Sequence, residues 1–174
     1  VTSGVSFIAS AGQGLSWFKS EGYSQLLKEI NKTEGTLPIA VVFNLGVNDM
    51  ANVSNYVSYM TGIASTLKSK NCKLFYMSVN PLNSTMIAKA GKGARTEAQV
   101  REFNSKIHSG LSLNYKYIDT YNVLMKTGYG TNASYVGTDR DSDDGLHYTT
   151  RTYKRIYYYS VIYLNTGSIN QIYY

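Results

Sequence analysis

The fold is indicated most clearly by one segment: Pro38-Ile39-Ala40-Val41-Val42-Phe43-Asn44-Leu45-Gly46-Val47-Asn48-Asp49. It begins with a nearly continuous apolar run, which is typical of a strand buried on both faces of a parallel sheet. A second run of this kind covers residues 73–79 and stops at Asn80-Pro81. Between the two runs, apolar side chains recur at helical spacing over residues 53–68. The order strand, helix, strand predicts two parallel neighbours joined by a crossover helix.

The rest of the chain continues this alternation, which predicts one α/β domain over residues 1–174. The expected architecture is a three-layer α/β/α sandwich around a parallel sheet. Thr149 or Thr150 is placed to cap the last helix. The other expected elements are strands at residues 5–9 and 115–118, helices at residues 23–30 and 97–111, a helical turn at residues 121–126, and loops at residues 82–96 and 127–145.

Composition narrows the classes of function. The chain has 174 residues, 43% of them hydrophobic, and a formal net charge of +6, which suits one globular domain with a core. Its Lys and Arg residues are scattered rather than clustered, so no nucleic-acid partner is expected. Cys72 is the only cysteine, which excludes an internal disulfide and a multi-cysteine metal site. No apolar run approaches the roughly 20 residues that span a bilayer, so no integral membrane segment is expected.

Asp144 and His147 are the first candidates for catalytic residues. His147 is one of two histidines, and Asp144 precedes it in Asp143-Asp144-Gly145-Leu146-His147-Tyr148. In a loop leading into a helix, this spacing lets the carboxylate accept a hydrogen bond from one ring nitrogen. The other nitrogen is then the general base for a hydroxyl nucleophile. The alternative is a turn followed by a histidine that caps a helix.

Gly12 and Asn48 follow the first two expected strands. The carboxyl ends of parallel strands share one edge of the sheet, where ligands gather. A glycine lets a backbone N–H approach a substrate oxygen, and an asparagine amide adds a second donor. Together they are suited to hold the negative oxygen of a tetrahedral intermediate. Taken singly, Gly12 also fits a tight turn and Asn48 a helix cap.

Three short segments together resemble sequence blocks of the SGNH (GDSL-type) hydrolases: Ile8-Ala9-Ser10-Ala11-Gly12, Gly46-Val47-Asn48-Asp49 and Asp144-Gly145-Leu146-His147. They look like the second, third and fifth blocks in order, spacing and position at strand ends. The resemblance implies a flavodoxin-like sheet and ester hydrolysis through a serine acyl-enzyme, without metal or cofactor. It also implies that Gly12 and Asn48 form the oxyanion hole, that His147 is the base and that Asp144 orients it.

The family's first block, Gly-Asp-Ser, does not occur in the sequence, so no residue here matches the nucleophile. In the family's sheet, the strand carrying this block lies between those expected here at residues 5–9 and 39–45. Its omission would leave rows of buried unpaired groups costing about 1–3 kcal/mol each, against a stability of about 5–15 kcal/mol. We therefore expect the natural polypeptide to begin upstream of Val1, with a strand ending in Gly-Asp-Ser. The rival interpretation is a non-catalytic, carbohydrate-binding domain.

Tyrosine content bears on the substrate. The chain contains 17 tyrosines, many of them beside Asn, Ser or Thr, and this mixture is common on surfaces that meet sugars. No extended apolar lid is evident, which favours a carbohydrate O-acetylesterase or another small-acyl esterase. The alternative is lipase, lysophospholipase or thioesterase activity on longer acyl chains. A secreted or cell-surface protein is expected, with a cytoplasmic location as the alternative.

A calcium site is the other class of hypothesis. Asp139-Arg140-Asp141-Ser142-Asp143-Asp144-Gly145 has alternating carboxylates like the start of a calcium loop. The glycine falls one place late, however, and Thr150 stands where the bidentate acid is expected. A solvated loop that also positions Asp144 is the preferred interpretation, and no metal site is predicted.

Overall fold

The computed structural model describes residues 5–33, 37–133 and 143–166. None of the helices within these ranges combines the length and the apolar composition that a transmembrane span requires. The strands are β1 (Ile39–Phe43), β2 (Cys72–Met77), β3 (Lys116–Ile118), β4 (Thr131–Ala133) and β5 (Asp143–Tyr148). The helices are α1 (Leu15–Trp17), α2 (Tyr23–Lys32), α3 (Val53–Ser69), α4 (Ser84–Lys89), α5 (Glu97–Leu111), α6 (Thr120–Thr127) and α7 (Thr150–Thr166), with a π-helical turn at Phe18–Gly22 and a 3-10 turn at Met50–Asn52.

Three parallel strands form the centre of the fold. β1 pairs with β2 and β2 pairs with β3, with Ile39 opposite Cys72 and Phe75 opposite Lys116. Each strand lies within or beside an apolar run of the sequence, because a strand covered on both faces needs apolar side chains on both. The prediction of a parallel α/β sheet is confirmed.

Helices cover both faces of this sheet. Along β2, Leu74 and Tyr76 belong to the larger core cluster, which includes side chains of α3 and α5. Phe75 and Met77 alternate with them and pack with Ile118 against α7. Successive residues of a strand face opposite sides of the sheet, so the two clusters are the two interfaces of an α/β/α sandwich.

The helix α5 begins and ends where the sequence pattern predicts. Thr96 and Gln99 form a capping box at its first turn, which satisfies backbone groups that the helix itself leaves open. Its buried side chains are Val100, Phe103, Asn104, Ile107 and Leu111. The amide of Asn104 accepts from the Val79 N–H and donates to the Val79 carbonyl, each at 2.8 Å. This side chain therefore continues the hydrogen bonding of the sheet just beyond the end of β2.

Polar contacts tie the carboxyl ends of the strands together. Ser78 Oγ accepts from the Tyr121 N–H at 2.8 Å, and the Thr120 hydroxyl donates to Asn80 Oδ1 at 2.6 Å. Asn44 Nδ2, just after β1, donates to the Ser78 carbonyl at 3.1 Å. The loops that follow the three strands thus start from a rigid base.

The prediction of a strand at residues 5–9 is wrong. This segment has no regular structure, and Phe7 is 78% exposed. A strand needs a neighbour for its backbone N–H and C=O groups, and no described strand lies beside this segment. Among the described residues, β1 pairs with β2 alone, so its second edge has no described neighbour.

The two expected loops contain regular structure as well. The loop expected at residues 82–96 includes α4, whose first turn is capped by the Asn83 side chain. The loop expected at residues 127–145 includes β4 and the start of β5, so Asp144 and His147 lie on a strand. The pairing of β4 with β5 is antiparallel with an irregular register, which removes the alternation that marks a strand in a sequence. Residues 134–142 lie outside the described part of the chain.

We expect Asn104→Ala to destabilise the domain. It would leave the N–H and carbonyl of Val79 buried without partners, at a cost of about 1–3 kcal/mol for each group. Urea denaturation measures the loss as a fall in the free energy of unfolding. Ser105→Ala, at the next and exposed position of α5, is the control and should change that free energy by less than about 0.5 kcal/mol. Equal stability of the two variants would contradict the assigned role of Asn104.

Candidate active site

Asp144 and His147 form a hydrogen-bonded pair on β5. The ring nitrogen Nδ1 of His147 lies 2.6 Å from Asp144 Oδ2, as their spacing in the sequence predicts. The Asp144 side chain is 3% exposed and the His147 side chain 42% exposed, so the carboxylate is enclosed while the ring reaches the surface. The interpretation of His147 as a helix cap is wrong, because Thr149 accepts from the Thr152 N–H at the start of α7.

Opposing effects set the pKa of Asp144. Burial raises this pKa, whereas the hydrogen bonds from the His147 N–H, the His147 ring and the Leu146 N–H lower it, and the net result lies below the ordinary value. Both N–H groups donate to Oδ1 at 2.9 Å. An ionised carboxylate only accepts hydrogen bonds, so Nδ1 carries the proton of the neutral imidazole. The second nitrogen, Nε2, is then the basic one.

The strand β5 is fastened to the segment that follows β2. The Gly145 carbonyl accepts from the Asn83 N–H at 3.0 Å, and the Tyr148 hydroxyl donates to the Pro81 carbonyl at 2.6 Å. Gly145 has a φ of +72°, and a Cβ atom there would overlap the Asn83 carbonyl and lie 2.8 Å from the Ile87 nitrogen. Glycine is required here by conformation and by space. These contacts place the Asp144–His147 pair at the carboxyl edge of the parallel sheet.

The turn after β1 presents Asn48 towards another segment of the chain. Its Nδ2 donates to the Gln13 carbonyl at 2.8 Å. The turn is closed by a hydrogen bond from the Asp49 N–H to the Gly46 carbonyl at 3.0 Å. The helix-cap interpretation of Asn48 is wrong, because Asp49 and Asn52 occupy the cap positions of the helical turns that follow.

Asp49 holds the same segment, a role that sequence reasoning missed. Its Oδ2 accepts from the Leu15 N–H at 2.9 Å, and its Oδ1 accepts from the Tyr56 hydroxyl. Burial first, and then the hydrogen bond and charge of Asp49, raise the pKa of the Tyr56 hydroxyl well above its ordinary value. A Cβ atom at Gly14 would overlap the Asp49 carboxylate. The second polar residue of the Gly-x-Asn-Asp turn is the only sequence signal for this contact.

Gly12 lies in a turn one residue before the partner of Asn48. Its φ of +70° is left-handed, and no atom lies within 4 Å of the position that a Cβ would take. The tight-turn interpretation therefore fits, since glycine adopts this conformation without strain. The contact between Gln13 and Asn48 also brings the Gly12 backbone towards the carboxyl edge of the sheet, where an oxyanion donor is expected.

Arg95 is the other residue that sequence reasoning missed. The guanidinium group donates from Nε to the Val47 carbonyl at 3.0 Å and from Nη2 to Asn48 Oδ1 at 3.4 Å. A third hydrogen bond runs from Nη1 to the Lys92 carbonyl. In the sequence, Arg95 is only one of many scattered basic residues and carries no motif.

The described residues contain no group of three or more His, Cys, Asp or Glu side chains that could hold a metal ion. The calcium hypothesis rests on residues 139–145, of which residues 139–142 lie outside the described ranges. Asp143 is engaged in the pairing of β4 with β5, because its carboxylate accepts from the Thr131 hydroxyl and from the Gly145 N–H, each at 2.8 Å.

Two solved structures are similar to this fold. A GDSL-like lipase from Bacteroides thetaiotaomicron matches 75% of this chain with a TM-score of 0.53 and 18% identity. A candidate acylhydrolase from Bacteroides fragilis matches 87% of the chain with a TM-score of 0.56 and 16% identity. This chain has the GDSL-type hydrolase fold. By sequence, it matches no protein-family model and no curated protein.

The GDSL-type fold confirms the resemblance and the fold class predicted from the three sequence segments. The chain spans 63% of the lipase and 78% of the acylhydrolase chain. The structural match shows a shared fold. At sequence identities this low it does not show a shared activity, which is left to be tested. The roles of Gly12, Asn48, Asp144 and His147 accordingly stay predictions.

We expect Gly145→Ala to be much more destabilising than Gly91→Ala. Both glycines have positive φ, at +72° and +63°, but only Gly145 lacks space for a Cβ atom. A left-handed alanine costs about 1–2 kcal/mol, and Gly145→Ala adds the displacement of β5 from α4. Urea unfolding compares the two variants directly. Equal losses would contradict the close approach of Gly145 to Asn83.

Proposed function

We propose that this chain is the main part of a serine-type hydrolase of carboxylic esters. The observation that carries the proposal is the Asp144–His147 pair, in which a buried carboxylate of lowered pKa holds Nδ1 of a half-exposed imidazole at 2.6 Å. Such a pair is suited to take the proton of a serine hydroxyl. The GDSL-type fold supports the proposal, and so does the position of Gly12 and Asn48 at the same edge of the sheet.

The nucleophile in this proposal is a serine upstream of Val1. The support is the edge of β1 that no described strand covers. A further parallel strand would satisfy the backbone groups of that edge. Its carboxyl end would lie beside the carboxyl end of β1, and a serine placed there would lie at the edge of the sheet that carries His147.

The proposed mechanism gives each residue one task. Nε2 of His147 takes the serine proton as the serine oxygen attacks the ester carbonyl, and Asp144 stabilises the imidazolium that results. The oxyanion is held by the N–H groups of Gly12 and the serine and by Asn48. The Asn48 amide has two N–H groups, so the hydrogen bond to Gln13 leaves one for the oxyanion. His147 then protonates the leaving alcohol, and water releases the acyl group from the serine by the same steps in reverse.

We propose a short acyl group on a carbohydrate as the substrate. The helix α7, which follows β5 directly, exposes Tyr153, Tyr157 and Tyr158 by 45%, 39% and 60%. Tyrosine rings with polar tips are suited to surfaces that are partly apolar and partly wet, such as those that meet sugars. Hydrolysis of p-nitrophenyl esters from acetate to palmitate, beside an acetylated polysaccharide, tests the acyl length. Preference for palmitate would favour a lipase or thioesterase instead.

We expect His147→Ala in the full-length natural protein to abolish ester hydrolysis while the fold is retained. Loss of the general base of a serine triad lowers kcat by roughly 10⁴–10⁶-fold. The rate of p-nitrophenyl acetate hydrolysis and labelling by a fluorophosphonate probe measure the effect, and circular dichroism reports the fold.

His108→Ala is the matched control, because His108 lies on α5 with its ring stacked on Tyr117 at 4.5 Å. It should keep both hydrolysis and labelling. Full activity of His147→Ala would contradict the assignment of His147 as the general base. Absence of labelling and hydrolysis in the unmutated full-length protein would favour the non-catalytic, carbohydrate-binding interpretation.

We expect Asn48→Ala to lower kcat by roughly 10²–10³-fold, the usual effect of losing one oxyanion donor. The measurement is steady-state hydrolysis of p-nitrophenyl acetate. Asn31→Ala is the control, because Asn31 is exposed on α2 and its amide oxygen accepts from Lys70, just before β2 begins, at 3.0 Å. It should change kcat little. A rise in KM alone for Asn48→Ala, or equal losses in both variants, would argue against an oxyanion role.

A further inference from the structure

Arg95 contacts the amide oxygen of Asn48, whereas Gln13 contacts the amide nitrogen. Its Nη2 donates to Asn48 Oδ1 at 3.4 Å and its Nε donates to the Val47 carbonyl at 3.0 Å, while Asn48 Nδ2 donates to the Gln13 carbonyl at 2.8 Å. We propose that Arg95 is a positioning residue that orients and polarises the Asn48 amide for the oxyanion. This inference rests on the proposed esterase function and assigns a residue to it that the sequence motifs do not contain.

The amide of an asparagine has two orientations that differ by an exchange of its oxygen and nitrogen. The Gln13 carbonyl accepts only from nitrogen, and the Arg95 guanidinium donates only to oxygen, so both contacts select one orientation. In that orientation, the second N–H of Asn48 has a fixed direction. Without Arg95, a single hydrogen bond would hold the amide, and rotation about the Cβ–Cγ bond would be less restricted.

Charge gives Arg95 a second effect on the same amide. Among the described residues, no carboxylate forms an ion pair with the guanidinium, since the salt bridges there involve Lys32, Lys106 and His147. Arginine stays protonated throughout the working pH range. A hydrogen bond from a cation to Asn48 Oδ1 draws electrons towards the oxygen and makes the amide N–H a stronger donor. The positive charge also lies near the position where negative charge develops in the transition state.

The backbone of Arg95 is held in place from both sides. The next residue, Thr96, begins α5 through its capping box. On the other side, the Lys92 N–H donates to the Ile87 carbonyl at 3.2 Å, and the Lys92 carbonyl accepts from Arg95 itself. Ile87 lies on α4, which packs against Gly145 on β5. Arg95 therefore connects the segment that carries the Asp144–His147 pair to the turn that carries Asn48.

A double-mutant cycle on the full-length protein tests the inference. We expect Arg95→Ala to lower kcat roughly 10–100-fold with little change in KM, because positioning should contribute less than the donor itself. If Arg95 acts through Asn48, the variant carrying both Arg95→Ala and Asn48→Ala should be no slower than Asn48→Ala alone. Arg95→Lys keeps the charge without the planar fork of donors and should recover only part of kcat. Guanidinium ion at millimolar concentration should restore part of kcat to Arg95→Ala and none to the double variant.

Lys89→Ala is the control for general charge, because Lys89 is an exposed cation on the neighbouring helix α4. It should leave kcat and KM unchanged. Multiplicative losses in the double variant, or an unchanged kcat in both Arg95 variants, would overturn the inference. A rise in KM confined to negatively charged esters would also overturn it, in favour of direct substrate binding by Arg95. A normal kcat for Asn48→Ala would instead refute the oxyanion role, which separates failure of the proposed function from failure of this inference.

Discussion

The arrangement of the proposed site depends on the hydrogen bonds that the carboxylate of Asp49 accepts. Residues 5–14 form no helix or strand, so the backbone of this segment is not held by secondary structure. Asp49 supplies the missing contact, since it accepts hydrogen bonds from the Leu15 N–H and from the buried Tyr56 hydroxyl on α3. Its neighbour Asn48 adds the hydrogen bond to Gln13. One turn after β1 thereby holds the residues that follow Gly12, namely Gln13 and Leu15.

The carboxylate of Asp144 on β5 also accepts backbone and side-chain hydrogen bonds, but its side-chain partner is of a different kind. Each aspartate accepts at least one backbone N–H and one side-chain donor. The side-chain partner of Asp49 is a fully buried tyrosine whose raised pKa keeps it protonated, so the contact is structural. The partner of Asp144 is a histidine whose side chain reaches the surface. The nature of the donor distinguishes the two carboxylates, because only the partner of Asp144 is of a type suited to proton transfer.

The parallel sheet makes these two arrangements neighbours. Its carboxyl edge is held by Asn44, Ser78, Asn80 and Thr120, whose hydrogen bonds link the ends of the three strands. The turn after β1 and the segment that anchors β5 both start from this edge. A rigid base of this kind keeps donors at fixed positions, and the stabilisation of a transition state depends on such preorganisation. The GDSL-type fold therefore explains why residues distant in sequence meet at one edge.

Elements with a local signal could be predicted from the sequence alone. The apolar runs located β1, β2 and β3, the helical period of the apolar residues located α5, and a separation of three residues was sufficient to pair Asp144 with His147. These features depend on neighbouring residues, and a pattern in the chain records them directly. The segments resembling the SGNH hydrolases also identified the fold.

Features that depend on distant partners could not be predicted and became evident from the folded chain. Residues 5–9 have the composition of a strand but no described neighbour to pair with, and the irregular pairing of β4 with β5 left no alternation in the sequence. The contacts of Asp49 with Leu15 and of Arg95 with Asn48 join residues that are 34 and 47 positions apart. Such contacts form only when the sheet has brought the loops together. The sequence around a polar side chain does not show which distant residue will become its partner.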